Sequence, residues 1–286
     1  MDEDKIKQIV ARRKKLEKSK LFVRRVITFS INLLFLAGGW VAIFFINFYS
    51  QEIQLYFAGF RLLTYIAPFV PSLCLSLVNG LIPVITKLIV KYEAWDFANV
   101  VIQQQVWRIY MAKMVNFSLY TVIQIELASG KTIFGSTPLI TFNDGSSQFD
   151  CREDEAAINF FLLLITEYVL KLIYAPMLAL MRLFGFGVIL GRKHWKAEYV
   201  LSDDIVWLLY FQAILWVTQI FFPMITMVSP LLLYSLFRVN LFYLNKIKTK
   251  PKKSTNASDT GYFIMIFLNV TFFAIAALIV VFLAVQ

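Results

Sequence analysis

Polar and ionisable side chains within apolar segments are the residues of this chain that could support chemistry. Lys113, Asn116, Tyr120 and Gln124 share one face of a predicted helix, since their spacings of three, four and four match the helical repeat. Glu126 lies at the end of the same segment. Such groups are costly in hydrocarbon unless they face a bundle interior or water. The stripe predicts either the lining of an aqueous path or a helix–helix interface joined by hydrogen bonds.

A second polar face is predicted in the next apolar segment. Glu167, Lys171, Tyr174 and Arg182 lie on one side of that helix, and Glu167 is near its middle. A carboxylate at mid-membrane depth is a candidate cation site. The alternative is an i,i+4 ion pair between Glu167 and Lys171, in the favoured order of Glu before Lys, which would be a structural contact only.

Enzymatic chemistry is not indicated by any motif. The one histidine, His194, lies in a basic loop, and the two cysteines, Cys74 and Cys151, form no Cys-x-x-Cys pair. The run from Gly130 to Thr132 ends like a phosphate-binding loop, but Ile125 stands where that motif requires glycine. We therefore expect no enzyme, no metal site and no cofactor.

The composition predicts an all-α, polytopic transmembrane helical bundle. Hydrophobic residues make up 59% of the 286 residues and charged residues 16%, against about 25% charged in soluble domains. Seven apolar blocks are long enough to cross about 30 Å of hydrocarbon. They cover 26–46, 61–90, 106–127, 156–183, 205–222, 229–244 and 262–285. Because the fifth and sixth blocks are short, a six-helix arrangement with one broken helix stays open.

Proline and acidic residues predict where some helices begin or break. Pro68, Pro71 and Pro83 interrupt the second block, so we expect an irregular or kinked helix there. Ser202 followed by Asp203 and Asp204 resembles an N-cap with acidic residues in the first turn, and predicts the start of the fifth helix.

Charge predicts the orientation and the organisation of the chain. The segment 1–25 carries ten Lys/Arg against four Asp/Glu, which contributes six of the ten net positive charges. Basic and non-basic connections then alternate at every crossing, so we expect a cytoplasmic N-terminus, in the plasma membrane, and no nucleic-acid partner. The predicted regions are a basic tail (1–25), three helices (26–128), an extracellular loop (129–155) and four helices (156–286).

Several short runs follow one another in an order typical of a known family. The runs are Leu77-Val78-Asn79, Tyr92-Glu93, Arg108, Asn116-Phe117-Ser118-Leu119-Tyr120, Cys151-Arg152-Glu153-Asp154, and Leu209 to Trp216 followed by Phe221-Phe222-Pro223. From residue 24 to about residue 280, this ordered set resembles the transmembrane channel-like (TMC) family, relatives of the anoctamin and OSCA proteins. The family's Cys-Trp-Glu-Thr signature keeps its Cys and Glu here.

The resemblance implies a partial anoctamin-like fold and a cation-permeable, mechanically gated ion-channel subunit with its pore between helices of one protomer. In the family, acidic residues ten positions after the Asn of the Asn-Leu-Tyr segment and sixteen after the signature Cys lie along that pore, which implies Glu126 and Glu167 here. The full set of candidate pore residues is Glu126, Glu167, Asn116, Tyr120, Gln124, Lys171 and Tyr174. The structural signature residues are Cys151, Glu153, Gln212, Trp216 and Pro223.

Two other functions stay open at this point. One is a non-conducting membrane scaffold or regulatory subunit, in which the basic tail binds anionic lipid. The other is a lipid scramblase, by analogy with the anoctamins. The expected partners are membrane lipids and a calcium- and integrin-binding type protein on 6–23. Because the chain is shorter than family members and lacks their last helix, through which they dimerise, the resemblance leaves a homodimer as an open expectation.

Overall fold

The computed structural model consists mainly of long helices. It describes residues 18–49, 53, 56–57, 67–93, 95, 98–128, 152–181, 197–198, 201–246, 248–249 and 257–285. Seven α-helices occur in these ranges: α1 (Lys18–Phe48), α2 (Val70–Tyr92), α3 (Ala98–Ala128), α4 (Arg152–Met181), α5 (Leu201–Phe221), α6 (Ile225–Lys246) and α7 (Ala257–Val285). A 3-10 turn, Ala67–Phe69, precedes α2.

The helices make the chain a multi-pass membrane protein. Within the described residues, five segments are long and apolar enough to cross a membrane: Lys20–Phe48, Ala67–Tyr92, Ala156–Ile173, Asp203–Phe221 and Ile225–Asn245. In α7 the described residues include a shorter apolar stretch, Ile264–Ala277. The helix α3 is more polar, because three consecutive glutamines precede Arg108 and Lys113. The helical bundle predicted from composition is confirmed at this level.

The fifth and sixth predicted blocks form two separate helices. A turn at Phe222–Met224 divides α5 from α6, and the Ile225 amide donates to the Phe222 carbonyl at 3.1 Å. The predicted start of α6 at residue 229 is wrong, since the helix begins at Ile225 and contains Pro230. The Ser229 hydroxyl donates to the Thr226 carbonyl at 3.2 Å, and this carbonyl is the one that Pro230, without an N–H, leaves free.

The starts of α2 and α5 have local explanations in the sequence. The proline at position 71 does not interrupt a helix, because it lies in the first turn of α2, where its missing N–H has no helical partner to lose. The helix α2 begins at Val70 and continues through Pro83 to Tyr92, while residues 61–66 of the predicted block lie outside the described residues. The helix α5 begins at Leu201, one residue before the predicted cap, with Asp203 and Asp204 in its first turn as expected.

The core of the bundle lies between α3, α4 and α5, which pack against one another, and α3 and α4 also pack against α2. Its largest fully buried side chains include Tyr110 and Phe117 of α3, Phe160 of α4 and Tyr210 of α5. By contrast, many large apolar side chains of α1 and α6 are exposed, as expected of lipid-facing surfaces.

Close contact between α1 and α2 depends on a small residue. A Cβ added at Gly39 of α1 would lie 2.9 Å from Val78 Cγ1 of α2, so this position has room only for glycine.

A short parallel strand pair, β1 (Ala197–Glu198) with β2 (Lys248–Thr249), is the one departure from the all-α prediction within the described ranges.

Ion pairs and hydrogen bonds show that successive helices run in opposite directions. Lys87 near the end of α2 pairs with Asp203 at the start of α5. Lys171 in the second half of α4 pairs with Asp204 at 2.7 Å. Together with the contact of Thr28 in α1 with Glu93, these pairs place the start of α1, the end of α2, the second half of α4 and the start of α5 at one end of the bundle. This end is called the basic end below.

Candidate functional site

Glu167 lies inside the bundle, near the middle of α4. Its residue exposure is 6%, and its Oε1 accepts a hydrogen bond of 2.7 Å from the Ser76 hydroxyl of α2. The Trp207 and Tyr210 side chains of α5 also interact with this carboxylate. Three helices therefore enclose one acidic group at mid-helix depth.

Lys113 of α3 supplies positive charge to the same region. It is 7% exposed, and its ammonium lies 5.3 Å from the centre of the Tyr210 ring. Lys113 and Glu167 attract each other electrostatically, although no hydrogen bond or ion pair between them is formed in the described structure. A buried ammonium on α3 and a buried carboxylate on α4 thus both lie near Tyr210 of α5 without direct contact with each other.

The alternative i,i+4 pair between Glu167 and Lys171 does not form. The Lys171 ammonium instead donates to Asp204 Oδ1 at 2.7 Å, and Lys248 donates to Oδ2 of the same carboxylate at 3.1 Å. Lys171 also lies 4.8 Å from the Trp207 ring centre. The charge of Lys171 is directed toward the basic end and does not neutralise Glu167 directly.

A chain of hydrogen bonds connects α1, α2, α3 and α5 beside Glu167. Trp40 Nε1 donates to Asn116 Oδ1, Asn116 Nδ2 donates to Asn79 Oδ1, and Asn79 Nδ2 donates to the Tyr210 hydroxyl, each at 2.9 Å. Asn79 and Asn116 are both fully enclosed. This asparagine network binds the helices together and ends at the aromatic residue that contacts Glu167.

The remaining residues of the α3 stripe join a second polar cluster. Gln124 Nε2 donates to Asn47 Oδ1 of α1 at 2.8 Å, and Asn159 Nδ2 of α4 donates to Gln124 Oε1 at 2.9 Å. The Tyr120 hydroxyl approaches the Asn159 carbonyl at 3.4 Å. At Asn116 and Gln124 the stripe thus forms the hydrogen-bonded helix interface that one of the two sequence interpretations predicts.

Several predicted residues lie outside the described part of the structure. Cys151 and Arg182 are outside it altogether, and the side chains of Glu126, Glu153 and Tyr174 are outside it although their backbones belong to α3 and α4. Most of the basic tail and of the predicted extracellular loop, at 1–17 and 129–151, is also outside it.

The later signature residues have structural surroundings. Trp216 packs edge-on against Phe272 of α7, with ring centres 6.0 Å apart, and the Pro223 carbonyl accepts the Thr226 hydroxyl at 2.8 Å in the α5–α6 turn. Gln212 is half-buried on α5.

Sequence reasoning gave no role beside Glu167 to Ser76 or Tyr210, although Tyr210 belongs to the family-like run Leu209 to Trp216. Ser and Tyr are common in apolar helices, and no spacing rule within one helix shows which of them faces a carboxylate on another. Asn79 was visible as part of the family-like run. The one available signal was that an Asn and a Ser lie three apart in an otherwise apolar segment, on the same helical face.

A separate polar cluster surrounds Glu93 at the basic end. This carboxylate is fully buried and accepts hydrogen bonds from Arg108 Nη1 at 2.7 Å, Trp95 Nε1 at 2.6 Å and Thr28 Oγ1 at 2.8 Å. Burial alone would raise the pKa of Glu93, but the hydrogen bonds and the Arg108 charge outweigh it and hold the pKa below its usual value. The cluster fastens α1, α2 and α3 to one another.

Replacing Glu93 with Gln is expected to lower the free energy of unfolding by about 2 kcal/mol, because a hydrogen bond to a charged group contributes about 1.5–3 kcal/mol. A lowered native pKa means that this stabilisation is present above the ordinary glutamate pKa and is lost as the pH falls through the native pKa. Thermal unfolding in detergent at neutral and acidic pH measures both effects. The variant should unfold at a lower temperature than wild type at neutral pH, and its unfolding temperature should fall less on acidification.

The control is Lys87→Gln, which removes the cation of the ion pair with Asp203. Both side chains of this pair are about one-third exposed. We expect a change of about 0–1 kcal/mol for it, since such pairs contribute little. Equal unfolding temperatures for wild type and Glu93→Gln at neutral pH would contradict the prediction.

The described residues contain no group of three or more His, Cys, Asp or Glu side chains that could hold a metal ion. The Glu167 region is different in kind, because a single carboxylate is combined with hydroxyl groups. Oxygen atoms of this type can replace part of the hydration shell of a passing cation.

No known protein-family model matches the chain.

Proposed function

We propose that this chain is a cation-permeable ion-channel subunit gated by membrane tension, as its resemblance to the TMC family implies. The proposal includes seven spans, a cytoplasmic basic end and a location in the plasma membrane. The observation that carries it is the position of Glu167, a buried carboxylate at mid-helix depth that Lys171 does not neutralise. Charged groups at such depth are costly and are typical of ion pathways.

In the described conformation, the Glu167 region is closed to ions. The carboxylate is 6% exposed and is covered by α2 and α5. Conduction therefore requires that α4 move away from α2, exposing Glu167 and Ser76 to water. Two side-chain hydrogen bonds between these helices must break: the Ser72–Thr166 hydroxyl pair at 3.2 Å and the 2.7 Å bond that Ser76 donates to Glu167. Neutral hydrogen bonds between membrane helices contribute only about 0.6 kcal/mol on average.

Once the helices separate, three oxygen-bearing side chains would face the ion: the Glu167 carboxylate and the Ser76 and Tyr210 hydroxyl groups. Such ligands suit alkali and alkaline-earth cations. The Lys113 ammonium, 5.3 Å from the centre of the Tyr210 ring, would oppose cation entry. In this mechanism, Glu167 attracts the cation and Lys113 keeps its binding weak enough for release.

A non-conducting scaffold is the second candidate, and the asparagine network favours it. Hydrogen bonds across four helices pair the polar side-chain groups of Trp40, Asn116, Asn79 and Tyr210 with one another, as in a permanently assembled bundle. In this alternative, Glu167 and Lys113 balance each other's charge and no ion passes.

The two candidates differ in tension-activated current from the purified chain. The experiment reconstitutes wild-type protein in liposomes with a potassium chloride gradient, applies suction to excised patches, and reads the reversal potential. A channel gives tension-dependent current that reverses near the potassium potential. Folded protein without current supports the scaffold, and loss of lipid asymmetry in the same vesicles would instead support scrambling. Empty liposomes and boiled protein are the controls.

A further inference from the structure

A groove at the basic end separates the start of α1 from the end of α2. It has a volume of about 390 Å³ and is lined by Lys20, Val23, Arg24, Ile27 and Tyr92. The four α1 residues lie on one helical face, at spacings of three, four and seven from Lys20. Two cations are thus combined with an apolar wall in one surface depression.

Arg24 is held in place, and none of the carboxylates in the described ranges pairs with it. Its guanidinium lies 3.8 Å from the centre of the Tyr92 ring, which fixes the side chain against α2. Its Nε is buried without a hydrogen-bond acceptor, and no hydrogen bond or ion pair joins this guanidinium to another described side chain. Arg25, stacked on Trp95 at 3.8 Å, has the same unmatched Nε.

The carboxylate next to this groove is not available to Arg24. Glu93 follows Tyr92 directly, yet its two oxygens are already occupied by Arg108, Trp95 and Thr28. This carboxylate therefore does not neutralise the Arg24 guanidinium. Guanidinium groups with free donors match the geometry of a phosphate.

The groove also lies at the boundary of the bilayer. The apolar span of α1 begins at Lys20, and the exposed side chains of Val23 and Ile27 continue from the groove along the lipid-facing side. A headgroup phosphate at Lys20 and Arg24 would therefore place its acyl chains along Val23 and Ile27. A free phosphate ion would leave that apolar wall uncovered.

We infer that this groove binds the headgroup of an anionic phospholipid, with Arg24 and Lys20 contacting the phosphate and Ile27 contacting an acyl chain. The bound lipid would connect α1 to the end of α2 beside the Glu93 cluster. This inference stands apart from ion conduction, since it depends on no residue of the Glu167 region.

Native mass spectrometry of the detergent-solubilised full chain tests the inference, with phosphatidylserine and phosphatidylcholine titrated separately. Wild type should bind phosphatidylserine more tightly. One basic residue near an anionic lipid surface contributes about fivefold in affinity, so Arg24→Gln should weaken phosphatidylserine binding about fivefold and Lys20→Gln with Arg24→Gln about 25-fold. Phosphatidylcholine binding should not change.

The matched control is Lys91→Gln, which removes an exposed cation near the end of α2 but outside the groove and should leave lipid affinity unchanged. Arg24→Lys keeps the charge and should retain most of the affinity. Equal binding of the two lipids by wild type would overturn the inference without relying on any variant. Displacement of phosphatidylserine by millimolar inorganic phosphate would overturn the lipid as the ligand.

Discussion

Replacing Glu167 with Gln is expected to reduce tension-activated cation current about tenfold, the change that corresponds to about 1.4 kcal/mol of lost cation stabilisation. The physical reason is that Gln keeps the size and can keep the hydrogen bond of 2.7 Å from Ser76 but loses the negative charge. The measurement is single-channel conductance in reconstituted patches at fixed tension, together with the permeability ratio of potassium to chloride.

The matched control for this prediction is Glu167→Asp, which retains the carboxylate and should retain cation selectivity. Asp204→Asn is a second control, because this carboxylate pairs with Lys171 and Lys248 outside the proposed path. If Glu167→Gln conducts like wild type while the variant protein is folded, Glu167 is not in the ion path.

Replacing Lys113 with Gln is expected to act in the opposite direction on current and to destabilise the closed protein. Removing the ammonium that faces the Tyr210 ring eliminates the charge opposing cations, so conductance should rise several-fold. It also leaves Glu167 buried without a compensating charge, which costs about 3 kcal/mol. Single-channel conductance in reconstituted patches measures the first effect, and thermal unfolding of the same variant in detergent measures the second.

The double variant Lys113→Gln with Glu167→Gln separates these effects. If the two buried charges attract each other, the double variant should be more stable than Lys113→Gln alone, and the effects on stability should not add. A strictly additive cycle would contradict the interaction. Gln103→Ala is a control, since Gln103 is an exposed residue of the same helix.

The helices themselves were predictable from the sequence, because about 20 consecutive apolar residues carry a strong and local signal. The boundaries at Ile225 and Leu201 were less accessible. At Ile225, a turn and the compensating hydroxyl of Ser229 allow α6 to begin before Pro230. The Ser229 hydroxyl can bond the Thr226 carbonyl only once the helix has formed around it. The amino-acid composition does not reveal this bond.

The site was predictable only within single helices. Spacing placed Lys113, Asn116, Tyr120 and Gln124 on one face and identified Glu167, since one helix determines these relations. The partners Ser76 and Tyr210 come from helices far away in the chain, and their rotation about the helix axis decides whether they meet Glu167. The local i,i+4 rule suggested Lys171 as a partner, but Asp204 on α5 attracts that lysine instead. The partner of Lys171 is thus set by a carboxylate on another helix and not by the spacing within α4.

Cysteine accessibility tests most directly whether water and cations reach position 167 when the protein opens. The variant Glu167→Cys, in a background with Cys74→Ser and Cys151→Ser, is exposed to a cationic, membrane-impermeant thiol reagent with and without membrane tension. The account predicts that the reagent reacts and blocks current under tension, and reacts much more slowly without it, since position 167 is buried in the closed bundle. A cysteine at position 167 that stays unmodified under tension, in protein that still passes current, would contradict the account.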